Sequence, residues 1–357
     1  MDGLYEMLPQ QKKIWEVQTA YPGTDVCNIG GYLHLEGKYD VLLLQKTIEL
    51  FLRNNSSFWI KVNSQGKIFW DPIQTYAMKE YDFTNLAAEE IHDRIQGWIC
   101  EPFSIYDSYL FDFRLLRLQG KILIFEKFHH LIADGYTVAL CARRQEQIYE
   151  QLLAGKADVK TDTRYQEEIS LTRTSGLQNG GQKSDWEDRH LSSVAKRALN
   201  PAAEIFSGWL TESEESLSGV SWPERKFSYG QIRKFCRTYR VSVEALFYGC
   251  LAMYLCRVTD GDGLAVGRDL LSRKGDEFTV TGMKVHTHTF VAEPKWESSA
   301  ADFLADLKRK LAKHTTEQKS CPVFPEIEIS YRPTRCLPSP AHGECREFYS
   351  SSSEMPV

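Results

Sequence analysis

An α/β protein of two lobes is what the amino-acid sequence predicts, and three observations predict it. In both halves of the chain, segments with the apolar period of helices alternate with segments of strand-like alternation or short apolar runs. Residues 161–202 break that pattern with polar sequence around Thr174-Ser175-Gly176-Leu177-Gln178-Asn179-Gly180-Gly181-Gln182, a composition that buries too little apolar surface to order itself. The length of 357 residues suits about two domains at roughly 150 residues each. The division that follows is a first lobe over 1–160, a linker over 161–202 and a second lobe over 203–357.

In chain order, a short polar opening leads to Gly30 to Glu36, whose side chains alternate as in a strand. Asp40 supplies a helix cap, and apolar residues at helical spacing continue to Asn54. Residues 57–62 and 67–70 read as a hairpin, and 87–98 as a helix. The apolar runs 110–118 and 122–128 flank Gln119-Gly120 and form a strand pair joined by a tight turn. Val138, Cys141, Ala142, Ile148, Tyr149 and Leu152 then share one face of a helix over 137–153, which Gly155 ends. The second half predicts helices over 229–239 and 241–257, strands over 264–268 and 285–291, a helix over 300–314 and a strand over 326–331. The sequence closes on a polar turn, Ser350 to Ser353, followed by what would begin another strand.

Composition narrows the function classes. Hydrophobic residues make up 42% of the chain, enough for a large core, and Lys plus Arg (43) fall short of Asp plus Glu (48). The net charge of −5 gives no global basic surface, which argues against nucleic acid as a partner. Nine cysteines form no C-x-x-C pair and have no His pair to complete a zinc site, so they read as reduced core thiols. The N-terminus has neither a basic nor an apolar signal region, and the apolar stretch Val241 to Val258 is broken by Glu244 and Arg257, so it reads as a buried helix. A cytoplasmic protein without a membrane segment is expected. No G-x-S-x-G elbow or P-loop is present, and Gly261 to Gly267 leads into a strand where a dinucleotide loop would follow one.

The leading site candidate is Phe128-His129-His130-Leu131-Ile132-Ala133-Asp134-Gly135-Tyr136-Thr137. It falls between a strand and a helix, where α/β folds expose side chains and helix N-termini to ligands. Strand alternation turns adjacent histidines to opposite faces, so one acts and the other packs. Asp134 followed by glycine suits a tight turn in which the carboxylate makes a fixed ion pair or caps the next helix. The plainer reading makes both histidines structural and Asp134-Gly135 a turn.

His129-His130-x-x-x-Asp134-Gly135 after an apolar strand resembles the H-H-x-x-x-D-G signature of the condensation-domain family of nonribosomal peptide synthetases, which is similar in fold to chloramphenicol acetyltransferase. The resemblance runs from about residue 5 to 331. Leu8 to Trp15 is similar to the opening S-x-A-Q-x-R-x-W, with Lys13 in the arginine place, and Arg53 to Val62 to R-H-E-x-L-R-T-x-F, with Asn54 and Asn55 for His and Glu. Gly267-Arg268 resembles a family G-R, Val280 to Thr287 resembles V-G-x-F-V-N-T with His286 in the asparagine place, and Pro322-Val323-Phe324 leading to Ser330-Tyr331 resembles N-P-L-F. The H-Q-D-x-P-F-E element is reduced to Gln318-Lys319-Ser320-Cys321-Pro322, and family domains continue beyond the position of Val357, so the second lobe reads as incomplete.

The resemblance implies a V-shaped, two-lobed pseudo-dimer of acetyltransferase-like lobes with a tunnel between them. It implies amide-bond formation between an acyl or peptidyl thioester and an aminoacyl acceptor, each carried on the phosphopantetheine arm of an upstream or downstream peptidyl carrier protein, beside an adenylation domain. No bound cofactor or metal is implied. His130 becomes the catalytic residue, as general base or as positioner, and the Gly135 amide, near the positive end of the following helix, could face a developing oxyanion. His129 supports the site by packing. Asp134 is structural, in a buried pair with Arg268. Tyr136, Thr137 and His286 are weaker candidates for lining the channel. His286 and His288 lie two apart on one strand face, yet no third ligand at metal spacing accompanies them. Arg143-Arg144 reads as a solvated helix face with a possible role in carrier docking. The same motif also admits an epimerisation domain or a free-standing acyltransferase using coenzyme A or a carrier, and the weakened outer motifs admit a non-catalytic scaffold that binds carrier proteins.

Overall fold

The central strands of the N-terminal half are among the most apolar segments of the chain, and they build its sheet. The computed structural model describes residues 3–36, 38–156, 158–174, 228–317, 327–329 and 344–349. Strands β1 (Asn28–Glu36), β4 (Lys79–Asp82), β5 (Phe111–Leu118), β6 (Lys121–His129) and β10 (Glu344–Tyr349) form one sheet in the order β10-β1-β6-β5-β4. All neighbours are antiparallel except β4 and β5. Alternation along β6 sends Ile124 and Phe128 into a core shared with α2 (Val41–Arg53) and α4 (Gly135–Leu153), while Leu123 and Phe125 face Ile95 and Ile99 of α3 (Ala88–Cys100). A 3-10 turn, Ser56–Trp59, leads into the hairpin of β2 (Ile60–Val62) and β3 (Ile68–Trp70).

The predicted elements recur close to their expected bounds, with informative exceptions. Asp40 caps α2 by accepting from the amides of Leu42 and Leu43 at 2.8 and 3.2 Å. Helix α1 (Pro9–Ala20) lies where only a polar opening was expected, because the side chains it buries are Gln10, Gln11 and Gln18 and no apolar stripe marks it. Part of the expected linker is also helical: α5 (Arg164–Thr174) is anchored by Tyr165 and Ile169, both fully buried. Residues 175–202 of that linker lie outside the described residues, as do Gln318 to Pro322, Pro322-Val323-Phe324, Ser330-Tyr331 and Ser350 to Val357. Arg144 is not a solvated side chain. It pairs with Asp162 at 2.8 Å and donates to Asn55 Oδ1 and the Thr279 carbonyl.

A second unit holds α6 (Tyr229–Thr238), α7 (Val243–Thr259), α8 (Ala300–Glu317) and a sheet in the order β8 (Val285–Ala292), β7 (Leu264–Leu271), β9 (Ile327–Ile329), with β7 and β9 parallel. Ala245, Tyr248, Ala252 and Leu255 of α7 pack against Val266, Phe290 and Leu307. The helix is therefore two-faced and not buried throughout: Phe247, Tyr254 and Val258 are exposed on its other side. Among the described residues no single helix is long and apolar enough to cross a membrane. Where the sequence suggested two contiguous lobes, contacts return the loop Ser272–Val285 and strand β10 to the first unit. That loop carries groups essential to the site below.

One side chain in the first core has a titration that can be tested. Glu126 on β6 is fully enclosed, and burial pushes its carboxyl up to about 8, with Gln145 of α4 opposing in part. The unfolded chain ionises this group near 4.5, so between those values the native state holds a proton that the unfolded state has lost. Stability then falls as pH rises through that window, by up to about 1.4 kcal/mol per pH unit. Glu126→Gln is expected to unfold at the wild-type temperature below about pH 4.5 and at progressively higher temperatures than wild type up to about pH 8, as read by thermal melts across pH.

Candidate active site

Strand β6 ends at His129 and α4 begins at Gly135, so the turn between them is anchored at both ends by regular structure. His130 is the first residue past the strand. Its amide donates to the Cys27 carbonyl at 2.8 Å, and Ile132 closes the turn onto the His129 carbonyl at 3.0 Å. The two histidines differ in burial. The His129 ring is fully buried, with Nε2 3.0 Å from Gln18 Oε1, Nδ1 accepting from the Leu131 amide at 3.1 Å and Phe103 against its edge. Burial, helped by the adjacent His130, drops its pKa to about 3 and keeps the ring neutral. His130 retains solvent-accessible surface.

Below His129 the same strand face is fixed by buried polar side chains. Lys127 donates through Nζ to the carbonyls of Trp98 and Glu101, both at 2.9 Å, and Asn28 Nδ2 donates to those of Ile99 and Glu101 at 2.8 and 2.9 Å. Together they occupy carbonyls at the C-terminal end of α3, where a helix runs out of i+4 amide donors.

Asp134 is buried and fully occupied. One oxygen caps α4 by accepting from the Thr137 amide at 2.7 Å, the other accepts from the Lys284 amide at 2.9 Å, and both receive Nη2 of Arg273, at 3.0 and 2.9 Å. Burial would raise this carboxyl, but the Arg273 charge and the amide donors outweigh it and hold it below the ordinary carboxylate range. The expected partner, Arg268, is elsewhere. It lies on β7 in the second unit, paired with Glu244 at 2.5 Å and 3.0 Å and donating to the Leu311 carbonyl at 2.9 Å. The guanidinium that meets Asp134 comes instead from the Ser272–Val285 loop, five residues further along the chain.

That loop also occupies Thr137 and Tyr136. The Thr137 hydroxyl donates to the Gly282 carbonyl at 2.8 Å and accepts from the Gly282 amide at 3.1 Å and from Arg273 Nη2 at 3.0 Å. Thr137 is thus a buried node of the loop and not a channel lining. Tyr136 stacks over the Arg273 guanidinium at 4.8 Å and donates its hydroxyl to the Phe278 carbonyl at 3.1 Å. Gly282 adopts φ +140, and a Cβ there would come within 2.5 Å of the Tyr165 ring, so no other residue fits without displacing α5. Gly135 opens α4, and its amide is among the first-turn donors that no carbonyl of the helix can reach.

His286 lies on β8 in the second unit, its ring 6.2 Å from that of the buried His288. Among the described residues no three His, Cys, Asp or Glu side chains are grouped to hold a metal ion. The first unit therefore brings together His129, His130, Asp134, Gly135, Tyr136 and Thr137 and adds Arg273, Lys284, Gln11 and Gln18, none of which sequence reasoning gave a role. Arg273 has no local signal that separates it from Arg268. Gln11 stood in a matched motif, and only its contact shows what it does: Nε2 donates to the Leu131 carbonyl at 2.9 Å.

Comparison with known proteins gives a consistent result. The sequence model of a family described as Condensation domain matches residues 1–323. Surfactin synthase subunit 1 of Bacillus subtilis (strain 168) is 24% identical over 332 residues, which is 88% of this chain and 9% of that protein. Tyrocidine synthase 3 of Brevibacillus parabrevis is 21% identical over 320 residues, 85% of this chain and 5% of its own length. The chain thus spans less than a tenth of the length of these curated relatives. Among solved structures, the first condensation domain of the CDA synthetase aligns with a TM-score of 0.68 at 14% identity, covering 97% of this chain and 84% of that one. VibH, an NRPS condensation enzyme, aligns with a TM-score of 0.58 at 19% identity, covering 96% and 89%. These likenesses show the fold, the chloramphenicol acetyltransferase-like α/β fold of condensation domains.

Proposed function

The chain belongs to the condensation-domain family, and from that membership we propose that it joins an acyl or peptidyl thioester, carried by an upstream peptidyl carrier protein, to the amine of an aminoacyl group carried by a downstream one. Both substrates ride on phosphopantetheine arms, an adenylation domain adjoins the chain, and the reaction is cytoplasmic. The amine nitrogen attacks the thioester carbonyl. A C–N bond forms, the C–S bond breaks, and the proton leaving nitrogen ends on the departing sulfur. His130 takes or steers that proton, while Gly135, in the first turn of α4, offers an amide toward the tetrahedral oxyanion.

The observation that carries this reading is the division of labour within the motif. Of its three ionisable side chains, His129 is buried and neutral and Asp134 accepts four hydrogen bonds from three donors, so His130 is the one that keeps accessible surface. An accessible imidazole directly past the end of a rigid strand suits a reaction whose barrier falls mainly through positioning, an effect worth roughly 7–11 kcal/mol. The test is reconstitution with a carrier-bound acyl donor and a carrier-bound amino acid, followed by intact-protein mass spectrometry. Transfer of the donor mass onto the acceptor carrier, dependent on His130, is the expected result. A folded protein that binds carriers and yields no such product across several donors would overturn the reading.

A further inference from the structure

The turn that presents His130 is held from a single helix. Gln11 and Gln18 stand seven residues apart on α1, so they share one face of it, and both are buried. Gln11 grips the Leu131 carbonyl at 2.9 Å. Gln18 directs its amide nitrogen to the carbonyls of Tyr21 and Thr24, at 3.0 and 3.2 Å, which leaves its oxygen for His129 Nε2 at 3.0 Å. An oxygen at that position requires the proton on Nε2. Nδ1 then carries a lone pair, and Nδ1 is the atom that accepts from the Leu131 amide at 3.1 Å. Leu131 directly follows His130, and both its amide and its carbonyl are fixed by contacts that lead back to α1.

We infer that Gln18 is a positioning residue: by fixing His129 in the Nε2–H tautomer it locks the Leu131 amide and so sets the direction in which His130 is presented. The chemical consequence rests on the condensation reading above; the tautomer rests on the contacts alone. The other tautomer would set Nδ1–H against the Leu131 N–H and strand the Gln18 oxygen, leaving buried groups unsatisfied on both sides of the ring. The imidazolium would create the same clash at Nδ1, in keeping with the low pKa that burial gives this ring.

Two variants of the full chain test the assignment. Gln18→Met keeps the length and shape of the side chain without its polar atoms, and Gln18→Glu returns an oxygen facing Nε2 and, with its carboxyl protonated, a donor toward the Tyr21 and Thr24 carbonyls. In the wild type, ring ¹⁵N shifts are expected to show His129 as the Nε2–H tautomer throughout the neutral range. Gln18→Met should lose that single tautomer, lower kcat about tenfold, the rate equivalent of one net hydrogen bond, with KM nearly unchanged, and displace the pH–rate profile governed by His130. Gln18→Glu should regain the tautomer and most of the rate at pH values where its carboxyl is protonated. An Nδ1–H tautomer or an imidazolium in the wild type at neutral pH would overturn the inference even if the variants fail to fold. So would a Gln18→Met protein whose tautomer is lost while kcat and the pH profile stay put. Because the ring shifts need no substrate, a wild type that holds Nε2–H yet forms no amide would defeat the condensation reading and leave the tautomer assignment standing.

Discussion

Replacing His130 with alanine is expected to lower amide formation by two to four orders of magnitude, the range that a positioned acid–base group supplies. The residual rate reflects substrates still held together, because approximation does not depend on the imidazole. KM for either carrier should change little. The fold should also survive: the contact that fixes the His130 backbone runs from its amide to the Cys27 carbonyl and persists in alanine. A melting temperature within the ordinary range of surface substitutions, together with the loss in kcat, would place the effect in the chemistry. A loss of less than about threefold would remove His130 from proton transfer and leave positioning alone as the source of catalysis.

The second large effect is structural. Breaking the Asp134–Arg273 pair from one side, by Asp134→Asn or Arg273→Met, is expected to destabilise the protein by about 3–5 kcal/mol, since either change leaves an uncompensated buried charge. Both side chains are 0% exposed, and the Asp134 carboxylate also caps α4 and holds the Lys284 amide. The corresponding fall in melting temperature is roughly 6–20 °C. Removing both charges together should cost less than the sum of the single changes, because the charges are coupled. The pH dependence has a definite sign. A carboxyl held below its ordinary range contributes fully above the unfolded-state carboxylate range, and that contribution is lost as pH falls toward the native value. Asp134→Asn should therefore flatten the acid limb of the stability profile, a limb to which Arg268 adds nothing through Asp134 because its partner is Glu244.

The contrast between those two arginines shows what the sequence could and could not disclose. Helices α2 and α4 were legible because burial of Ile48 and Phe51 on one, and of Val138, Cys141 and Ile148 on the other, imposes an apolar period on the sequence. That one histidine of the pair would be buried and the other accessible followed from the strand that precedes them. The role of Asp134 as cap and ion-pair acceptor was also legible, since a carboxylate before glycine at a helix start has few other uses. Its partner was not. Arg273 reaches Asp134 across 139 positions of sequence, through a loop with no periodicity of its own. Helix α1 was missed for the converse reason: it buries amides where a buried helix ordinarily buries aliphatic side chains, so the residues that hold the His130 turn look like solvent-facing polar sequence.

The position of β10 has a consequence for how the protein is made. Strand β1 is flanked by β6 on one side and by β10 on the other, and β10 follows the end of β6 by about 220 residues. At roughly 5–20 residues per second on the ribosome, the sheet is left with an open border along β1 for about 10–45 s after the motif-bearing strand has emerged. Throughout that interval Ile29 to His34 present unpaired backbone donors and acceptors to any neighbouring nascent chain, which is the setting in which strands of different molecules associate. Yield of soluble protein should therefore depend on translation speed and chaperone supply more than the equilibrium stability of the finished sheet would suggest.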